Sequence, residues 1–507
     1  MLPNWAMDAM SILTQVFILM LGAAALAVAI FFIIDISQTR DAIRRNYPVV
    51  GRFRNLFTRL GEFFRQYFFA MDREELPFNR AEREWVYRSA KGEGGTIAFG
   101  STKPLTPVGT AIFVNCPYPE LEDDVAQTES MRIGPFARQP YDAPSFFNIS
   151  GMSYGALSRP AVRALSRGAA KAGIWLNTGE GGLSDAHREG GCDIVFQIGT
   201  AKYGVRNAEG GLSDEKLKAV ASLEQVRMFE LKLSQGAKPG KGGILPAEKV
   251  TQEIADIRGI PAGVASHSPN RHPEVANNQD LLDFVHRIRE VSGKPVGIKF
   301  VVGAYGWLDA LCEEIKTRGI ESAPDFFTID SGDGGTGAAP MALMDNVGLT
   351  IRESLPMVAG ILRHHGLKER IRIIASGKLL IPSSVAWALA AGADFVQCGR
   401  GFMFSLGCIQ AMKCHMNTCP TGVTTHKKSL QRGLVPQDKA EKVALYANTL
   451  REHVEIIAHS CGVSEPRQLK LMHVRLVQAN GRSKSMDNLN FIPPEELRQD
   501  RSLPEQA

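Results

Sequence analysis

The sequence predicts an α/β protein: a (β/α)8 TIM barrel with an N-terminal transmembrane helix and a small lead-in lobe. Three observations carry that reading. Eight short apolar runs between residues 145 and 398 alternate with helical patterns, as parallel strands joined by crossover helices do. Most of these runs end in glycines and polar residues, the composition expected at the mouth of such a barrel. Upstream, residues 9–34 carry no charge at all, and a bilayer core needs a helix of about 20 apolar residues.

The N-terminal segment comes first. Only Asp8 precedes it, and Arg40, Arg44, Arg45, Arg52, Arg54 and Arg59 follow it. The positive-inside rule then places the bulk of the chain in the cytoplasm, so a single-pass membrane protein is expected. A cleaved signal peptide competes with this reading. It is weakened by the missing basic n-region and by apolar sequence running on past the alanines. A buried core helix is the third alternative. Residues 40–140 form a juxtamembrane helical segment, rich in Arg and Phe, and then the lead-in lobe. The helical part reads as amphipathic, lying on a membrane or packing on the barrel.

The barrel region is 145–480, and 481–507 reads as a polar, peripheral tail. Candidate strands are 145–150, 174–178, 194–198, 228–234, 296–301, 326–331, 371–376 and 395–398, with helical patterns such as 278–291 and 347–365 between them. The long gap from 235 to 294 must be an insertion over the mouth. Composition is that of an ordinary globular chain, 44% hydrophobic and 22% charged over 507 residues. A net charge of +5 without a basic-aromatic cluster gives no sign of nucleic acid. Eight cysteines spread through so long a chain do not make a secreted disulfide scaffold.

Within this frame, several clusters carry chemistry. In the fourth strand Phe229, Leu231 and Leu233 alternate with Glu230, Lys232 and Ser234, one apolar face and one polar. The loop after it holds Gly236, Pro239, Gly240, Gly242 and Gly243, with Lys232 and Lys238 flanking Gln235. Cationic and amide donors at the mouth would suit a dicarboxylate; a solvated Gly-Lys turn is the plain alternative. Lys299 lies in a strand too apolar to carry a lysine idly, and a buried ammonium needs a partner, for which a salt bridge inside the barrel would serve. Gly332, Gly334 and Gly337 make a formal GxGxxG, but the acid at the Rossmann spacing, Glu353, falls in a helical pattern and the next strand starts only at Ile371, so a nicotinamide site is rejected. The strand ends at Gly377-Lys378 and Gly399-Arg400 fall where barrels often hold phosphate. Cys408, Cys414 and Cys419 crowd together without the CxxC pairs usual for zinc.

These motifs resemble a known family. Lys232-Leu-Ser-Gln-Gly-Ala-Lys-Pro-Gly-Lys-Gly-Gly243 is similar to the signature loop of the FMN-dependent synthase domain of glutamate synthases, and the same order of motifs continues from about Ser150 to Thr425. The resemblance implies FMN against Gly151, Met152 and Ser153, over Lys299, along Asp333, Gly334, Gly335 and Thr336, with its phosphate at Gly377, Lys378, Gly399 and Arg400. It implies a [3Fe-4S] cluster on Cys408, Cys414 and Cys419. It further implies Glu180 beside the substrate carbon, a dicarboxylate on Lys232, Gln235 and Lys238, and reductive amination of 2-oxoglutarate with ammonia. Electrons would come from a ferredoxin or a reductase subunit.

Departures are equally visible. No glutaminase domain precedes the barrel, the first cysteine being Cys116, and no C-terminal β-helix, FAD or nicotinamide domain is expected. Ile244 stands where many glutamate synthases carry a glutamine. Two further readings therefore remain: an N-methylglutamate synthase-like enzyme acting on another amine or oxo acid, and a membrane-tethered electron-transfer subunit.

Overall fold

The computed structural model describes residues 3–38, 42–121, 123, 128–303, 306–489 and 491. Arg40 and nearly all of the tail beyond 489 lie outside the described residues. The chain divides into two units, Met1–Arg80 and Ala81–Ala507.

In the first unit, helix α1 (Asn4–Ser37) is long and apolar enough to cross a membrane, and none of its most apolar window is buried among the described residues. Its C-terminal end is anchored by Asp35, which accepts from Arg44 (2.5 Å), Arg52 (2.8 Å) and the backbone N–H of Val49 (3.0 Å). Beyond this clamp runs α2 (Val50–Phe64), continued by a short π-helical turn, Arg65–Phe69.

The second unit is built around a closed eight-stranded parallel barrel. In chain order its strands are β1 (Phe147–Ile149), β2 (Leu176–Asn177), β3 (Ile194–Ile198), β4 (Val226–Lys232), β5 (Val296–Val301), β6 (Phe326–Asp330), β7 (Arg372–Ser376) and β8 (Phe395–Cys398), with β8 pairing back on β1. All eight fall on predicted strands. Each strand is buried, so it reads as an apolar run, as parallel barrel strands do.

Alternation along the strands puts every second side chain inside, and the interior is layered. The N-terminal layer is apolar: Trp175, Val195, Met228, Phe326, Ile374 and Phe395. It is closed from below by an antiparallel hairpin of the lead-in lobe, Met131–Ile133 with Tyr141–Ala143, which contributes Ile133, Tyr141 and Ala143. Gly297 belongs to this layer because a Cβ there would sit 2.3 Å from the Phe326 ring. Two residues further along each strand the layer turns polar, with Asn177, Gln197, Glu230, Thr328, Ser376 and Gln397. Lys232, Lys299 and Asp330 lie at the C-terminal rim.

Helices cover the barrel. α3 (Arg159–Ala172) is capped by Ser158, whose side chain accepts from Ala161 N, and ended by Gly173 at φ 63°. It packs on α4 (Pro436–Ser460) so closely that a Cβ on Gly168 would lie 2.4 Å from Val443. The predicted helices at 278–291 and 347–365 appear as Asn278–Ser292 and Ile351–His364. Ser483–Ser485 is a strand, pairing with Val474–Val477, which in turn pairs with Ala111–Phe113 of the lead-in lobe.

Candidate functional site

The mouth is roofed by the predicted insertion. It holds a two-residue hairpin, Ile244–Leu245 with Ser266–His267, and a short helix, Gln252–Arg258. His272 Nε2 meets the carbonyl of Lys232 at 3.0 Å, and Thr200 donates to Pro269 O at 2.7 Å, seating the insertion on the strand ends. Two glycines permit this contact. A Cβ on Gly242 would sit 1.9 Å from Ser268 O, and one on Gly243 would sit 2.4 Å from Glu180 Oε1.

Under this roof Glu180, Lys232 and Gln235 are brought together. Lys232 Nζ donates to Glu180 Oε2 at 3.1 Å and to Gln235 Oε1 at 2.6 Å, and Gln235 Nε2 donates to Thr336 Oγ1 at 3.2 Å. Burial alone would raise the Glu180 carboxyl, but Lys232, Lys238 and Arg258 outweigh it and hold it down at about 2. Lys238 is buried, and its ammonium has no hydrogen-bond partner among the described residues. Burial lowers its pKa below the ordinary lysine value, and Lys232 adds to that effect against the opposing pull of Glu180.

The loop carrying Lys238 leaves β4 pressed against the Gly-rich loop after β6. Gly236 N donates to Asp330 Oδ2 at 3.0 Å and Ala237 N to Gly332 O at 2.8 Å; a Cβ on Gly236 would meet Ser331 O at 2.1 Å. This contact is why glycine follows Gln235.

Lys299 stands in register between Lys232 on β4 and Thr328 on β6. Its ammonium pairs with Asp330 at 3.5 Å. Burial pulls its pKa down, yet Asp330, Glu230 and Glu180 together hold it above the ordinary value. The predicted salt bridge is thus present, and the ammonium also faces the interior. Below it Glu230 accepts from Gln197 (2.6 Å), Thr328 (2.6 Å) and Asn177 (2.9 Å), which satisfies a buried carboxylate from three strands.

The other predicted residues line the same rim. Gly179 of the second loop abuts the backbone of Met152 and Ser153, and a Cβ on Gly151 would meet Gln197 and Asn177 at 2.8 and 2.9 Å. Asp333 pairs with Lys378 at 2.9 Å and accepts from Ser331. Gly377 takes φ 109° and Lys378 φ 55°, so the chain turns sharply where β7 ends. A Cβ on Gly335 would fall 2.9 Å from Arg400, and one on Gly334 would meet Ser331 O at the same distance. Gly399 lies 3.6 Å, by the same measure, from Met152 Sδ. Arg400 donates to Thr336 O and lies 3.9 Å from Cys414 Sγ, so its side chain turns toward the cysteine segment.

All eight cysteines are free thiols. Cys408 and Cys419 are buried and Cys414 half-buried. Burial raises the Cys408 thiol pKa. Among the described residues no group of three or more His, Cys, Asp or Glu side chains is drawn together closely enough to hold a metal ion.

Several residues were missed by sequence reasoning. Arg258, buried against the Tyr203 ring at 4.8 Å and donating to Tyr154 O at 3.0 Å, is a third cation acting on Glu180. Lys249 donates to the carbonyls of Cys414 and Thr424, each at 2.7 Å, and ties the insertion to the cysteine segment. Neither left a signal, because helix-borne cations are usually solvated. The polar interior layer was also missed, although Glu230 had been read as polar.

Residues 120–464 match the family model described as the conserved region in glutamate synthase. The chain is 39% identical to the glutamate synthase large subunit-like protein YerD of Bacillus subtilis, over 92% of this chain and 97% of that one. It is 31% identical to the archaeal-type glutamate synthase [NADPH] of Thermotoga maritima, over 69% of this chain and 66% of that one. The archaeal glutamate synthase [NADPH] of Methanocaldococcus jannaschii is 33% identical over 68% of this chain; the match spans 64% of that protein's length.

Proposed function

Because the chain belongs to the glutamate synthase family, we propose that it is an FMN-dependent oxidoreductase of that type, reducing the imine of 2-oxoglutarate and ammonia to glutamate. The observation that carries the reading is an ionised Glu180 paired with Lys232 at the barrel mouth, beside a buried Lys238 whose ammonium has no hydrogen-bond partner among the described residues.

The rim fits a flavin. Gln397 Nε2 is buried with no hydrogen-bond partner among the described residues, Lys299 offers an ammonium on the same interior, and the glycines of the β1, β6, β7 and β8 ends leave backbone accessible. Gly151, Met152 and Ser153 would lie along the ring, Lys299 at its pyrimidine edge, and Asp333, Gly334, Gly335 and Thr336 beside it. Gly377, Lys378, Gly399 and Arg400 would hold the phosphate. Bound there, reduced FMN supplies the hydride.

The chain's own residues do the rest. Lys232 and Lys238 pair with the carboxylates of the oxo acid, and Gln235 donates from its amide; each charge-assisted bond contributes about 1.5–3 kcal/mol. Glu180, an anion, accepts a hydrogen bond from the protonated imine nitrogen and stabilises its positive charge. When hydride adds to C2, the C=N π pair moves to nitrogen, which stays bonded to C2 and becomes the amine of glutamate. The insertion keeps water off the imine, which would otherwise hydrolyse.

The motif Cys408, Cys414 and Cys419 supports a [3Fe-4S] cluster; iron and acid-labile sulfide in anaerobically purified protein are its test. A ferredoxin or reductase subunit is the proposed electron donor. Helix α1 is proposed as a single-pass anchor with the barrel in the cytoplasm, following the arginines behind it.

Ile244 favours a second reading. It follows Gly243, which abuts Glu180, and is 42% exposed, so an apolar side chain sits where the family often offers an amide. An N-methylglutamate synthase-like reaction on another amine or oxo acid fits that change. Photoreduced flavin should be reoxidised anaerobically by 2-oxoglutarate plus ammonia. Reoxidation only by other pairs selects the second reading, and reoxidation by none leaves a membrane-tethered electron-transfer subunit.

A further inference from the structure

Helix α2 carries an exposed pattern that the barrel chemistry does not use. At about 100° per residue, Val50, Phe53, Leu56, Phe57, Leu60, Phe63 and Phe64 fall within one arc of about 140°. All of them are exposed, Phe57 by 64% and Phe53 by 51%. Arg54 and Arg65 lie along one edge of the arc, Arg52 and Arg59 along the other, and Thr58 lies opposite. Gly51, also opposite, is where the preceding turn packs: a Cβ there would meet Arg44 Cα at 3.0 Å. The apolar arc is therefore turned away from the protein that abuts this helix.

The occupant is indicated by what α2 is joined to. Asp35, at the end of the apolar helix α1, is buried and holds Arg44, Arg52 and the Val49 N–H. Arg52 also lies over the Phe31 ring at 4.3 Å. The clamp fixes the start of α2 directly at the end of the segment proposed to cross the bilayer. Residues 42–69 carry six arginines and one acid, a charge that suits an anionic surface. An aromatic stripe edged by arginines matches a headgroup layer, with rings at the acyl boundary and guanidiniums reaching phosphates.

We propose that α2 lies in the headgroup layer of an anionic phospholipid membrane, held there at a fixed distance from α1 by the Asp35 clamp. This rests on α1 being the anchor, and the test separates the two. The full chain, with Phe57 replaced by photoreactive benzoylphenylalanine, is reconstituted into phosphatidylcholine vesicles with or without phosphatidylglycerol. Thr58 replaced in the same way is the control.

The expected result is phospholipid adducts from position 57 in several-fold excess over position 58, enhanced by phosphatidylglycerol and reduced several-fold by Arg54→Glu with Arg59→Glu. Carbonate-resistant flotation of the same samples reports on α1 by itself. Flotation with position 57 joined only to protein, from this chain or a second copy, overturns the surface helix and leaves the anchor standing. Loss of flotation overturns both. Lipid adducts that ignore phosphatidylglycerol and the charge reversal overturn the anionic preference.

Discussion

Lys232 Nζ lies 3.1 Å from Glu180 Oε2 across the barrel mouth, joining the end of β4 to the loop after β2. The folded carboxyl is held at about 2, against an ordinary 4.5. A depressed carboxylate stabilises the fold fully above its ordinary pKa, and that contribution is lost as pH falls through the folded value. The thermal midpoint of the native chain should therefore decline relative to Glu180→Gln between pH 4.5 and about 2. Parallel curves across that window would mean that the pair does not contribute. An acid limb near neutral pH in turnover must come from some other group.

Lys238 is the cation in this site with no hydrogen-bond or ion-pair partner among the described residues. Lys238→Ala should keep bound flavin through desalting while kcat/KM for the oxo acid falls about 10- to 150-fold, the worth of one charge-assisted bond. Its lowered pKa adds a pH signature. As pH rises, the ammonium is lost earlier than from an ordinary lysine, so the alkaline limb of kcat/KM should fall below the usual lysine range. Lys238→Arg should move that limb upward. An unchanged kcat/KM in Lys238→Ala would remove this residue from the substrate site.

Which parts of this were legible beforehand follows from how far apart the partners are. The strands 194–198, 296–301 and 395–398 were readable to the residue, because a strand buried on both faces is an uninterrupted apolar run with a sharp polar end. At β4 the expected start was two residues late, since Val226 and Arg227 follow a turn and show no alternation. The Glu230 network could not be read at all. Its partners lie at positions 177, 197 and 328, and only closure of the barrel makes them neighbours. The lysines and Gln235 stood out because three chemistry-bearing side chains fall within seven residues of one strand end.

Gly236 is required by the contact between two loops. A Cβ there would lie 2.1 Å from the Ser331 carbonyl, a backbone atom that cannot rotate away. Gly236→Ala should cost about 1–3 kcal/mol, as overpacking does, and should raise KM for the oxo acid by displacing Lys238. Gly94, whose added Cβ meets nothing within 4 Å, serves as the comparison: Gly94→Ala should change stability by no more than about 0.5 kcal/mol. Denaturant midpoints of both variants decide it.

Lys299 and Asp330 form a buried pair at 3.5 Å. Removing one partner strands the other charge, so Lys299→Met should destabilise by about 3–5 kcal/mol. Asp330 would keep its bond from Gly236 N, which places the expectation at the lower end. The double variant Lys299→Met/Asp330→Asn should recover part of the loss, giving a coupling energy of about 0.5–3 kcal/mol in a double-mutant cycle. Flavin retention provides a separate readout: if Lys299 also touches the ring, the double variant regains stability while still releasing FMN more readily. Equal recovery of both would confine this lysine to a structural role.

Ile244 tests which oxo acid the site is shaped for. It pairs with His267 in the short hairpin over the mouth and remains 42% exposed, one residue after the glycine that abuts Glu180. An isoleucine there can only exclude water or touch apolar atoms, whereas a glutamine could donate to a distal carboxylate. A hydrogen bond to a carboxylate contributes about 1.5–3 kcal/mol, a factor of about 10 to 150. If the native substrate is 2-oxoglutarate held by the lysines alone, Ile244→Gln should raise its kcat/KM by about that factor relative to pyruvate. If the site instead serves a less polar oxo acid or amine, the same change should lower kcat/KM for that native pair and leave 2-oxoglutarate poor. An identical response from both acids would mean that residue 244 does not face the substrate, and the departure at this position would then carry no information about specificity.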